Sequence, residues 1–163
     1  MMKEEDQIQF LNAIVQKTHT LADHVDIQAS ILLGVTSTVF VFSGSRVIDG
    51  QGGLPFFILS LAAACSAFLS LFAIHPPRGM RKRGQNESLL YNKQIASFAS
   101  HTEYKEALED MFRKEGGIVD HYAREIYNVS KFYYRPKRVL FNTARTILVI
   151  GIGCSLLAFV FAL

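Results

Sequence analysis

Three stretches of this chain carry no charged residue: residues 27–45 (19 residues), 54–74 (21) and 146–163 (18). A helix rises about 1.5 Å per residue, so each stretch is roughly 27–32 Å long as a helix, close to the thickness of a bilayer's hydrocarbon core. No other feature restricts the fold as tightly. Charged residues make up 19 % of the chain, against about 25 % in an ordinary soluble domain, and the mean hydropathy is +0.21. A water-soluble globule of ordinary composition is excluded.

The segments around these stretches read as helices. In residues 1–26 the apolar positions Ile8, Leu11, Ile14, Val15, Leu21 and Val25 recur at helical spacing among Asp and Glu, which predicts an amphipathic helix. It lacks a cleavable signal, and its polar face is sparse in Lys and Arg. Residues 27–45 are the first span, interrupted by Gly34, Thr36, Ser37 and Thr38, whose hydroxyls can bond back to the helix. Residues 43–53, with four glycines, read as a short turn. The second span, 54–74, opens on Pro55 and offers the small pairs Ser60/Ala64 and Ala63/Ala67 for close helix approach. Cys65 and Cys154 read as small packing residues.

Residues 75–138 are polar and hold 13 of the 17 cations against 8 acids, a balance of about +5. Three amphipathic helices fit there: one within 86–99, one opened by a Ser100/Glu103 capping box and closed by Gly116-Gly117, and one over 118–133. Pro136 predicts a kink or break before the third span, 139–163. The turn at 43–53 has one cation, Arg46, whereas the two ends of the polar stretch have seven. The positive-inside rule therefore puts the polar stretch and the N-terminus in the cytoplasm and the C-terminus outside, and short connections suit a bacterial inner membrane. The fold class is thus an all-α membrane protein: three transmembrane helices, an N-terminal amphipathic helix, and a small cytosolic helical unit between the second and third spans. Residues 1–163 are read as one domain.

The chemistry of the chain points to binding rather than catalysis. No phosphate loop, dinucleotide fingerprint, zinc-protease motif or nucleophile elbow occurs. The five histidines are scattered, so neither a metal nor another cofactor is expected. Two basic clusters, Arg78/Arg81/Lys82/Arg83 and Arg135/Lys137/Arg138, flank the polar stretch. They suit anionic headgroups, or the rim of a site for an anionic ligand, to which Arg124 adds a cation. A nucleic acid polymer is excluded by cations set at membrane depth. The candidate residues for an anionic ligand, chosen by chemistry, are Arg78, Arg81, Arg83, Asn86, Arg124 and Tyr127.

Four landmarks occur in a recognisable order. They are Asp26-Ile27-Gln28-Ala29-Ser30 leading into the first span, Ala73-Ile74-His75-Pro76-Pro77 leaving the second, Glu103-Tyr104 with Asp110 downstream, and Ala123-Arg124-Glu125-Ile126-Tyr127-Asn128-Val129-Ser130 running through Arg135-Pro136-Lys137 into the third. Over about residues 21–163 this resembles the transmembrane effector (PycTM) domain of bacterial Pycsar anti-phage systems. The resemblance implies a two-gene defence. A neighbouring pyrimidine cyclase makes cyclic CMP or cyclic UMP during infection; the effector then impairs the inner membrane, and the cell dies before phage mature. The lipid bilayer and further copies of the same chain are the other expected partners, because three spans are too few for a pore within one chain. The rival reading is a structural or partner-binding membrane subunit with no small-molecule ligand.

Overall fold

The computed structural model describes residues 4–50, 53–77, 88–89, 92–114 and 116–162. Those residues form α1 (Glu4–Ile48), α2 (Gly53–Ile74), α3 (Asn92–Ile95), α4 (His101–Arg113), α5 (Gly117–Asn128), a π-helical stretch (Val129–Tyr134) and α6 (Arg135–Ala162). The protein is all-helical, and three of its helices are long and apolar enough to cross a membrane. It divides into two compact units: a polar unit of Met1–Ala22 and Arg81–Arg135, and an apolar unit of Asp23–Met80 and Pro136–Leu163.

In the apolar unit, most of the buried positions are small or hydroxylated. From α1 the buried residues are Val25, Ala29, Thr36 and Ser43; from α2, Pro55, Ala63, Ser66, Ser70 and Ala73; from α6, Lys137, Ala144, Leu148 and Gly151. The large apolar side chains, among them Ile31, Val41, Phe57, Phe68, Leu156 and Val160, face outward. This distribution is the reverse of a soluble core and is the one lipid demands: small residues let helix backbones approach, and bulky ones meet the hydrocarbon. Thr36 and Ser43 satisfy their buried hydroxyls within α1, on the carbonyls of Leu32 (2.8 Å) and Val39 (2.7 Å). Ser66 and Ser155 cross between helices, donating to the carbonyls of Ala144 (2.8 Å) and Pro55 (2.9 Å), so α2 and α6 run antiparallel.

Several elements depart from the sequence reading. The expected turn at 43–53 is helical as far as Ile48; Ser43 and Ser45 bond back to Val39 and Phe42, which keeps the backbone wound. The helix ends instead at Gly50, whose φ of 70° is the left-handed conformation that closes helices and that a side chain resists. The close-packing face of α2 is Ala63, Ser66, Ser70 and Ala73; Ser60 and Ala64 are only partly covered. Both cysteines are exposed rather than packed.

In the polar unit, the helix expected within 86–99 is reduced, among the described residues, to Asn92–Ile95. Capping of α4 explains the shortening. Ser100 is extended (φ −149°, ψ 158°) and its hydroxyl accepts the Glu103 N–H at 3.2 Å, while Glu103 takes the N–H of Ala99 at 2.9 Å. The capping box is therefore present, with Glu103 reaching one residue further back than the usual N-cap amide.

Pro136 does not break the chain's helix. Proline lacks an N–H, and in an α-helix its ring collides with the carbonyl four residues earlier. Here the six residues Val129–Tyr134 are π-helical and Arg135 donates to Ser130, five residues back. The wider turn accommodates the ring, and the helix continues into α6.

Candidate functional site

Helix α5 and the π-helical stretch that follows it supply the polar unit's most distinctive chemistry. Asp120, Arg124, Tyr127 and Lys131 follow one another at spacings of four, three and four, which sets them along one helix face. Arg124 donates to Asp120 Oδ2 at 2.6 Å. The Lys131 ammonium donates to the Tyr127 hydroxyl and lies 4.7 Å from the Tyr127 ring centroid and 5.6 Å from that of Phe132. Those two rings meet edge to face at 81°, centroids 6.1 Å apart. Tyr127 is 53 % exposed, so the face is an aromatic surface bordered by two cations and open to solvent. An aromatic ring beside Arg and Lys can stack a planar heterocycle and bind an anion attached to it.

Of the candidate ligand residues, Arg124 and Tyr127 are brought together here. Arg78, Arg81, Arg83 and Asn86 lie outside the described residues. Lys131 was missed by the sequence reading, although its spacing of four from Tyr127 within the expected helix 118–133 carried the signal.

A second cluster anchors residues 88–89. The Leu89 N–H donates to Nδ1 of His121 (3.2 Å), and the Tyr104 hydroxyl donates to the Leu89 carbonyl (3.4 Å). Because Nδ1 accepts, the neutral ring carries its proton on Nε2. Burial holds the His121 pKa below its ordinary 6.5, Arg124 and Lys114 lower it further, and Asp120 opposes them. His121 and Tyr122 also line an apolar groove of ≈ 340 Å³ with Ile8, Leu108, Met111, Phe112 and Ile118. No group of three His, Cys, Asp or Glu that could hold a metal occurs among the described residues.

In the apolar unit, Lys137 proves different from its basic neighbours. Arg135 and Arg138 are exposed, whereas the Lys137 side chain is 2 % exposed, and its ammonium lies 2.7 Å from both carboxylate oxygens of Asp26. The sequence reading put Lys137 in a headgroup rim; the uninterrupted helix instead turns it inward, on the face that also carries Ala144 and Gly151.

Comparison with known proteins bears on this arrangement. The family model for the Pycsar effector protein domain matches residues 10–163. The chain belongs to the Pycsar effector family. No curated protein and no solved structure is significantly similar to it. Pycsar effector membership implies a cyclic nucleotide signal from a cyclase partner and fits a chain with three helices able to cross a membrane. An all-helical Pycsar effector with such helices suggests action without catalysis.

Proposed function

We propose that this chain is a bacterial inner-membrane effector that a cyclic pyrimidine mononucleotide, cyclic CMP or cyclic UMP, switches on to impair the membrane and kill the infected cell. The observation that carries the reading is the family match over nearly the whole chain. Residues 1–163 act as one effector domain: an amphipathic helix over 1–26, spans over 27–45, 54–74 and 139–163, and a cytosolic unit over 75–138. The N-terminus is cytoplasmic and the C-terminus outside. The cyclic nucleotide stacks its base on Tyr127 and sets its phosphodiester against Arg124, with Arg78, Arg81, Arg83 and Asn86 contributing from the segment that leaves the second span. The protein works as an assembly of at least a dimer. Ligand binding shifts the assembly toward a membrane-impairing state only by the difference in affinity between the two states.

Calorimetric titration of the detergent-purified protein with cyclic CMP, UMP, AMP and GMP tests this reading. Heat is expected with a pyrimidine nucleotide and its loss in an R81A/R124A double variant. No heat with any nucleotide returns the weight to a structural membrane subunit, for which the exposed apolar groove at Ile8 and Phe112 would be the docking surface. Undiminished binding by the double variant rejects the assigned residues.

A further inference from the structure

The pair of buried Lys137 and half-buried Asp26 has a position and a chemistry that stability alone does not explain. Lys137 is the largest fully buried side chain of the described protein, and both Asp26 oxygens face its ammonium. Burying the Lys137 ammonium costs desolvation that its attraction to a half-buried carboxylate offsets only in part, and a well-packed apolar side chain of the same volume is commonly as stable. What an ion pair adds is discrimination: it tolerates one relative placement of its helices and penalises others, because a separated charge is left without its counterion in an apolar setting. Beside Asp26 on α1 lies the buried Val25, and about one turn on the buried Ala29; two turns along α6 from Lys137 lies the buried Ala144, so the pair is set among apolar residues.

The position adds to this. The chain passes between the two units at three places, 22/23, 80/81 and 135/136. Asp26 follows the first crossing by four residues and Lys137 follows the last by two. A displacement delivered through either helix reaches this pair before any other charged contact of the apolar unit described above.

We infer that the Asp26–Lys137 pair is the lock that holds the helix bundle in its silent state, and that its separation is the step by which a signal frees α1 from α6. This rests on the proposed effector reading, and it makes a claim that needs no ligand. Neutralising either charge removes the penalty for separation and shifts the bundle toward the active state without nucleotide.

The test uses the full-length protein in liposomes of bacterial polar lipid loaded with a self-quenching dye, comparing wild type, D26N, K137M and the exchanged pair D26K/K137D, with leak expressed per incorporated molecule. D26N and K137M are expected to leak without nucleotide on the order of tenfold faster than wild type. The exchanged pair is expected to return toward the wild-type rate. A merely structural role would lower incorporation or thermal stability and leave leak per molecule at the basal rate; that result in both single variants overturns the inference. Should neither single variant incorporate, D26E keeps both charges but displaces the carboxylate by one methylene. A raised basal leak in D26E supports the lock, and a basal rate equal to wild type overturns it. Adding cyclic CMP or cyclic UMP to the wild-type liposomes separates the two ideas. Leaky single variants beside a wild type indifferent to both nucleotides sustain the lock and reject the ligand, whereas a nucleotide-responsive wild type beside silent single variants does the opposite.

Discussion

The hydroxyl of Ser66 on α2 donates a 2.8 Å hydrogen bond to the backbone carbonyl of Ala144 on α6. Both residues are fully buried, so the bond lies inside the packed face between the two helices. The Ala144 carbonyl has a second lone pair for its own helix, and loss of the hydroxyl leaves it satisfied. S66A is therefore expected to cost only about 0.6 kcal/mol, and not above about 1.7. Reversible unfolding in mixed detergent micelles measures this; a stabilised S66A would show that the hydroxyl does not hold the helices together.

Gly151 and Gly153 make an internal comparison on one helix. A Cβ at Gly151 would overlap the Ala62 side chain, whereas one at Gly153 meets nothing within 4 Å. G151V is expected to force α2 and α6 apart at a cost of about 1–3 kcal/mol, the usual penalty of overpacking. G153V is expected to be near neutral in the same unfolding assay. Equal losses in both variants would contradict the packing.

The cap on α4 is open to a simpler measurement. Ser100 satisfies the Glu103 N–H at the start of that helix, and removing such a cap costs about 1 kcal/mol within a range of about 0.5–2. S100A should lower the thermal midpoint of the protein in detergent, and S100D, which keeps an acceptor, should retain most of it.

His121 gives the polar unit a pH dependence of fixed sign. Its folded pKa lies below the ordinary 6.5, first because burial disfavours the charged ring and then because Arg124 and Lys114 do. The unfolded chain thus takes up a proton at a higher pH than the folded one, and stability rises with pH across that interval. The contribution is fully present above about pH 6.5 and is lost as the pH falls toward the lowered value. Protonation also turns Nδ1 into a donor facing the Leu89 N–H that it normally accepts. Thermal midpoints compared at pH 7.5 and 5.5 should fall on acidification in wild type, and fall less in H121Q; an equal fall in both would assign the effect elsewhere.

The spans were legible in the sequence because an uncharged stretch of bilayer length needs no tertiary information to be recognised. The Ser100/Glu103 cap was legible for a similar reason: its partners are three residues apart. Helix phase was not legible. Small residues fall on more than one face of α2 between Ser60 and Ala67, so the pairs Ser60/Ala64 and Ala63/Ala67 looked as good as the buried row Ala63, Ser66, Ser70 and Ala73. Lys137 was hidden among Arg135 and Arg138 because which of them faces inward depends on winding through Pro136, where the sequence suggested a break. At the candidate site, the ring and cation of Arg124 and Tyr127 were readable as chemistry. Lys131 was passed over although it stands four residues from Tyr127, because a cation draws notice by its charge and its place over two rings shows only in the folded helix.

The π-helical stretch at Val129–Tyr134 stores length as well as accommodating a proline. A turn closed five residues back holds one residue more than a turn closed four back, so the strand of backbone before Pro136 carries a residue in reserve. Releasing that residue into ordinary winding would rotate every later side chain by about 100° around the helix axis, the angular step of one α-helical residue. Such rewinding is opposed by Pro136, whose ring needs the wider turn. The stretch that makes room for Pro136 therefore also sets the angular register at which Lys137 meets Asp26.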